Sequence, residues 1–427
     1  MTKESQSTIC GMSATRLQQV NRWLHQQVSC GRLAGASVLI GRHGKTTLFD
    51  AAGMADIDNN KPFDRDTVVR IYSMTKPITT VAAMMLYEQG HYQLDDPIAR
   101  YLPEFANTPV WLGGDNPIDA TEEQRSPITI RQLMNHTAGL SYEFMQSTPV
   151  DQYYRDHEIN FQRTDCTLAD VVKNLTKAPL LCQPGTQWNY SVATDVLGRL
   201  VEVWSGQLLR EFLIDHILTP LEMNDTDFHV AKQNLARFSA MYGPRGGGGL
   251  GNVGATGAKN ELSAKPVMEL ELIDPASGSR FTRPAAVYSG GGGLTGTIDN
   301  YARFCQMILN GGELNGKRLL SPLTVDYMCS NQLPGNTDMA AMGQSVWSET
   351  SYEGIGFGLG FAVVLDPVKA QTITSVGECH WGGAASTYFW VDRKLGLYAI
   401  LFTQLLPSST YPLRRELRTQ VYQSVVD

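Results

Sequence analysis

Arg70-Ile71-Tyr72-Ser73-Met74-Thr75-Lys76-Pro77 sets a hydroxyl and an amine three residues apart where two local patterns meet. Val68 to Ile71 close a short apolar run. Ile78, Val81, Ala82, Met85 and Leu86 then recur at helical spacing up to Gln89, and Gly90 reads as a C′ stop. Ser73 is therefore expected at or just inside a helix N-terminus, with Lys76 one turn on along the same face. A serine hydroxyl is inert at neutral pH until a base takes its proton, and a neutral lysine one turn away can do so. The open N–H groups and positive dipole end of the helix favour a developing oxyanion and weaken the hold of Lys76 on its proton. The plainer reading is an N-capping serine followed by a solvated lysine. A Ser-x-x-Lys tetrad arises on the order of once by chance in a chain this long, so it needs company.

Two further stretches supply that company. Trp188-Asn189-Tyr190-Ser191-Val192 precedes a helical pattern and offers a tyrosine on a loop, although Tyr190 beside Trp188 also reads as packed aromatic. His380-Trp381-Gly382-Gly383-Ala384-Ala385-Ser386 precedes a strand-like run, and its glycines leave backbone N–H groups accessible. Trp381 by itself reads as core, but its neighbours Gly382 and Gly383 favour an exposed edge. His136, in Asn135-His136-Thr137-Ala138-Gly139, is expected to be a structural turn residue. His380 is placed either in the cleft or in the packing, and Tyr142 either in the acyl pocket or the core. No Gly-x-Ser-x-Gly occurs, which disfavours an α/β-hydrolase.

Other chemistries recede. Gly249-Leu250-Gly251-Asn252-Val253-Gly254 matches a dinucleotide fingerprint, but with no strand expected before it and no helix after it the match is rejected. The glycine-rich stretch at 243–258 reads instead as a surface loop. No Cys-x-x-Cys or His-Glu-x-x-His spacing occurs, so neither metal nor cofactor is expected. The seven cysteines lie far apart in sequence and odd in number, which fits reduced thiols and a cytoplasmic location. The net charge of −7 speaks against nucleic acid or an anionic membrane as partner, and no apolar run is long enough to span a bilayer.

The elements that must hold these residues are legible from periodicity. Ala14 to Ser29 carries Leu17, Val20, Leu24 and Val28 on one stripe, a helix. Ala36 to Ile40 and Thr46 to Phe49 form a hairpin across Arg42-His43-Gly44. A helical region broken by loops and prolines follows from His91, with helices over Ile128 to Met134, Leu168 to Leu175, Thr194 to Trp204 and Leu208 to Leu218. Tyr288 to Thr297 is a glycine-rich turn before a helix over Asp299 to Asn310. Gly354, Gly356, Gly358 and Gly360 alternate with larger residues, a strand with one bare face that lets backbone or substrate approach. Thr387 to Val391 and Leu397 to Gln404 make another hairpin, and Leu413, Leu417, Val421 and Val425 mark a terminal helix. The expected architecture is an α/β (α+β) fold, an antiparallel sheet from both chain ends flanked by terminal helices. Residues 1–72 and 270–427 would form this part, and 73–269 an inserted, mostly helical domain, with the central serine at the seam.

Ser73 to Lys76, His136 to Leu140, Trp188 to Tyr190, Gly291 to Gly296 and Trp381 to Gly383, in that order, resemble the serine β-lactamase and penicillin-binding-protein superfamily. The chain looks most like the class C-related family VIII carboxylesterases and a related fungal acyltransferase that acylates a statin precursor. The resemblance implies a β-lactamase/transpeptidase-like fold with Ser73 as acylated nucleophile, Lys76 as its base and Tyr190 sharing the proton work. It also implies an oxyanion hole from the N–H groups of Ser73 and Ala384, and a substrate edge at Trp381, Gly382 and Gly383. Two departures stand out. Val192 replaces the asparagine of Tyr-x-Asn, and Trp381 replaces the lysine of Lys-Thr-Gly. Both point to neutral, apolar acyl groups, and neither forbids slow turnover of a cephalosporin. The implied activity is hydrolysis of short- to medium-chain esters, with small-molecule substrates. The rivals are a β-lactamase, a D,D-peptidase, an acyltransferase, or a silent binding protein of the same fold. Whether Lys76 or a Tyr190 phenolate is the base stays open.

Overall fold

The computed structural model describes residues 8–247, 267–343 and 352–427. The glycine-rich fingerprint at 249–254 and most of the 243–258 loop lie outside the described residues. Helix α1 (Ala14–Ser29) turns Leu17, Val20, Trp23 and Leu24 inward, and Ser13 caps it by accepting from the Arg16 amide. Strands β1 (Gly35–Arg42) and β2 (Lys45–Asp56) follow as a hairpin, with His43 and Gly44 both at positive φ in its turn. The short β3 (Lys61–Pro62) completes the N-terminal contribution.

Helix α2 (Thr75–Glu88) is buried nearly all round. It is thus the central helix of the core, more deeply enclosed than its apolar stripe alone requires. Gly90 (φ +82) follows its C-cap, and the His91 amide closes on the Leu86 carbonyl. Between 91 and 126 the helical pattern yields only three-residue 3-10 turns, at Ile98–Arg100 and Pro103–Phe105. Pro97, Pro103, Pro109 and Pro117 interrupt it too often for anything longer. Helix α3 (Ala193–Ser205) packs on α2. The expected 208–218 helix is α-helical only over Leu209–Leu213 and continues as a π-turn over Ile214–Leu218.

After α4 (Ile298–Leu309) come β4 (Ile355–Phe357), β5 (Ala362–Val364), β6 (Cys379–Gly382), β7 (Tyr388–Asp392), β8 (Leu397–Thr403) and helix α5 (Leu413–Tyr422). They build one antiparallel eight-stranded sheet in the order β4-β5-β6-β7-β8-β1-β2-β3. The chain ends meet where β8 pairs with β1, from Leu397 opposite Arg42 to Thr403 opposite Ala36. Along β8, Leu397, Ala399 and Leu401 face α1 and α5, while Tyr398, Ile400 and Phe402 join the larger core on the other side. Both faces are therefore covered, the second by α4 and the core around α2 as well as by the terminal helices expected on the first.

Two expectations need correction. Of the glycine-alternating run only Ile355–Phe357 is strand, and its bare side is filled from within. A Cβ on Gly356 would lie 2.4 Å from Asn331 Oδ1, and one on Gly358 would lie 2.1 Å from the Met328 carbonyl. No substrate can use that face. A short strand, Met241–Pro244, does precede the glycine-rich region, but it pairs antiparallel with Leu270–Asp274 and so opens no βαβ unit. Among the described residues no helix is long and apolar enough to cross a membrane. All seven cysteines are free, yet Cys329 and Cys379, remote in sequence, bring their sulfurs to 3.1 Å.

Candidate active site

Val69–Arg70 pairs with Thr295–Gly296, and this two-stranded ribbon delivers the chain into a 3-10 turn over Tyr72–Met74 just before α2. Tyr72 takes φ +44, a left-handed value unusual for an aromatic residue. The turn is pinned by the Ile71 amide on the Leu294 carbonyl and by the Tyr301 hydroxyl on the Met74 carbonyl. Ser73 is left partly exposed at the base of a cleft.

Three hydroxyl or amine groups converge there. Tyr190, on the loop before α3, donates to Ser73 Oγ at 2.6 Å. Lys76 Nζ lies 3.3 Å from the same oxygen, 2.9 Å from Tyr142 Oη and 2.7 Å from the Gly291 carbonyl. Burial of Lys76 lowers its proton affinity to about 7, against an opposing pull from Asp195. Burial pushes Tyr190 well up despite its contacts with Ser73 and Trp381, and it pushes Tyr142 up as well. Both phenols therefore stay protonated while the amine is poised near neutrality.

Asp195 had no signal in the sequence beyond its place at the start of a helix. Its Oδ1 accepts from Ser289 Oγ at 2.6 Å and from the Gly291 amide at 3.0 Å, which fixes the carbonyl that Lys76 grips. A Cβ on Gly291 would sit 2.3 Å from Asp195 Oδ2, so only glycine permits this approach. Ser289 and Asp195 were missed because their partners come from segments about a hundred residues apart.

The cleft has an aromatic wall of Tyr142, Phe144 and Phe161, with Phe144 stacked on Tyr142 at 4.6 Å. Ala384 lines it together with Ser73. It is not wholly apolar, since Glu143, Gln162 and Arg280 also face it. Glu143 is pushed up to about 7 by burial.

The remaining residues singled out in the sequence lie off the cleft wall. Trp381 is 7% exposed, its ring 5.4 Å from Tyr190 and 5.2 Å from Phe357, so it backs the tyrosine. Gly382 lies under the Arg414 guanidinium, and the Gly383 carbonyl accepts from it at 3.1 Å. Val192 is fully buried at the N-terminus of α3. His380 points to the opposite sheet face from Trp381, with Nδ1 3.0 Å from the Glu378 carboxylate. Burial and Arg418 lower it to about 4. His136 is buried against Trp188, Tyr190 and Phe357, within reach of Ser191 Oγ at 3.2 Å, and burial holds it well below the usual histidine value. Neither imidazole contacts Ser73. Among the described residues no cluster of side chains could hold a metal ion.

Known proteins match the chain over most of its length. The family model described as Beta-lactamase matches residues 20–423. Esterase EstB of Burkholderia gladioli is 32% identical over 402 residues, covering 92% of this chain and 91% of its own. Monacolin J acid methylbutanoyltransferase of Aspergillus terreus is 26% identical over 376 residues, with coverages of 86% and 83%. Among solved structures, EstCE1, a hydrolase with promiscuous acyltransferase activity, superposes with a TM-score of 0.74 at 28% identity, over 96% of this chain and 98% of that one. The chain belongs to the β-lactamase family, and within it is a family VIII esterase-like protein.

Proposed function

We propose that the protein hydrolyses short- to medium-chain carboxylic esters through an acyl-Ser73 intermediate, at a cleft between the sheet-bearing segments (1–72 and 270–427) and the helical segment (73–269). The observation that carries this is the Lys76 amine, buried, poised near pH 7 and 3.3 Å from the hydroxyl it would activate. A neutral amine keeps two N–H donors for Tyr142 and the Gly291 carbonyl and turns its lone pair to Ser73. Ser73 Oγ attacks the ester carbonyl as Lys76 takes its proton. The backbone N–H groups of Ser73 and Ala384 receive the oxyanion, and Tyr190 hands its proton to the leaving alcohol, to be restored from Lys76. Water then repeats the sequence on the acyl-enzyme. The raised Tyr190 favours Lys76 over a phenolate as the base.

Ser73→Ala is expected to abolish hydrolysis of p-nitrophenyl butyrate, and Lys76→Ala and Tyr190→Phe to leave a small residue of it. Groups that act as one unit give single losses nearly as large as combined ones. Nucleophile removal typically costs ~10⁴-fold or more, so retention of about a hundredth of kcat by Ser73→Ala would overturn the assignment. Intact mass after a fluorophosphonate should show one adduct, on Ser73. A parallel assay with nitrocefin measures β-lactam turnover. The likeness to EstCE1, titled a hydrolase with promiscuous acyltransferase activity, supports a second reading in which an alcohol replaces water as acyl acceptor. The ratio of ester exchange to hydrolysis in added alcohol decides it.

A further inference from the structure

Arg280 lines the same cleft as Ser73 and Ala384, yet none of the motifs contains it. Its guanidinium lies 4.1 Å over the Phe281 ring, and Phe281 is buried edge-on to Tyr72, the residue before the nucleophile, at 6.1 Å. The cation is thus held on an aromatic platform built into the nucleophile turn. The nearby carboxylate is already engaged. Asp274 accepts from Arg70 Nε at 2.9 Å and from Ser279 Oγ at 2.8 Å, and Arg70 Nη2 lies 2.8 Å from it as an ion pair. Two guanidiniums therefore share one carboxylate, and Arg70 has taken it. Among the described residues the Arg280 guanidinium makes no hydrogen bond or ion pair.

The other ionisable groups of the cleft leave that charge unmet. Asp195 is turned to Ser289 and Gly291. Glu143 sits on the aromatic wall, and burial keeps it partly protonated at neutral pH. An arginine stays charged even when burial opposes it, and its planar fork matches a carboxylate in two parallel hydrogen bonds. An unpaired guanidinium on the wall of a cleft beside a reacting serine is a recognition group awaiting its anion.

Building on the ester-hydrolase reading, we propose that Arg280 binds a carboxylate carried by the substrate, so that the favoured esters are monoanions whose carboxylate reaches the Tyr72–Phe281 wall. The cation absent at position 381 in comparison with β-lactamases is then supplied from a different segment. The sequence motifs point to neutral acyl groups; the cleft wall points to an acid group elsewhere on the same ester.

The test uses two matched ester pairs on wild type, Arg280→Gln and Arg280→Lys. In one pair the charge is on the alcohol: 4-butyryloxybenzoate against 4-butyryloxybenzamide. In the other it is on the acyl chain: mono-p-nitrophenyl adipate against p-nitrophenyl hexanoate. The anionic-to-neutral ratio of kcat/KM should fall about tenfold or more in Arg280→Gln for at least one pair, chiefly through KM, and be largely restored in Arg280→Lys. A ratio that moves less than about twofold for both pairs overturns the inference, as that is within the range of an ordinary surface charge. Should Arg280→Gln fail to fold, wild type decides: benzoate must inhibit more strongly than benzamide and lose that advantage in salt, and equal inhibition overturns the proposal. If wild type turns over neither member of either pair, the ester-hydrolase reading falls and this inference with it. If it turns over the neutral esters with an unmoved ratio, only the inference falls.

Discussion

Lys76 answers to two opposed influences, and each can be varied singly. Burial lowers its proton affinity to about 7 while the Asp195 carboxylate raises it. On the proposed mechanism the active form is the free amine, so kcat/KM should climb with pH through an acid limb near 7. Asp195→Asn removes the charge that holds the proton and should move this limb to lower pH, with some loss of kcat because Ser289 and Gly291 lose their anchor. A limb that stays or moves up would remove Lys76 from the role of base. His136→Asn and His380→Asn should leave the limb in place, since both imidazoles are held neutral well below 6.5. The trio of Ser73, Lys76 and Tyr190 was legible in the sequence because short spacing or a local motif marks each of them. Asp195, Ser289 and Arg280 were not, because their meaning depends on contacts between distant segments that no local pattern records. Val192 and His380 show the converse: a motif position names a residue but not the side to which it points.

At the level of elements, the site depends on how closely the end of β6 docks on the Tyr72–Met74 turn. A Cβ on Gly383 would lie 2.5 Å from the Ile71 carbonyl and 2.2 Å from Thr387 Oγ1. Gly383→Ala should therefore push the end of β6, with Ala384, away from Ser73. The expected result is a kcat loss of at least tenfold beside a stability loss of about 1–3 kcal/mol, as for other overpacked sites. Unchanged kcat would separate Ala384 from the oxyanion role. Elements with a complete periodic signal were readable almost to the residue, as with α1 at 14–29 and the helix at Leu168–Leu175. The glycine run at 354–360 misled because alternation marks a bare face without saying what covers it. Here Asn331 and Met328 do.

For the whole molecule, the joint between α5 and the sheet sets acid tolerance. Glu378 is fully buried, which raises its pKa, but Arg418, His380 and Thr374 outweigh this and leave it below 4.5. Its contribution to stability is present above about 4.5 and lost as pH falls through the lower folded value. His380 adds to this. The unfolded chain takes up its proton near 6.5, whereas the folded site does so only near 4, so stability falls with pH across that window. Melting temperature should decline steadily as pH drops below about 6.5, on the histidine reference value. Arg418→Met, which strands the Glu378 charge, should cost about 3–5 kcal/mol at neutral pH. A flat profile from pH 7 to 4 would remove this joint from the account.

The pairing of β8 with β1 has a consequence in time. Thr403 bonds the Gly35 carbonyl across 368 residues of sequence. A ribosome adding ~5–20 residues per second takes on the order of 20–70 s to cover that distance. Throughout that interval β1, buried along its whole length in the finished fold, presents an unsatisfied edge to neighbouring nascent chains. The helical segment emerges meanwhile, but the sheet cannot close until the last strand leaves the exit tunnel. Production of this protein should therefore depend on how well its first hairpin is shielded while it waits, with slower elongation or scarce holdase chaperones felt as aggregation before any effect on the finished fold.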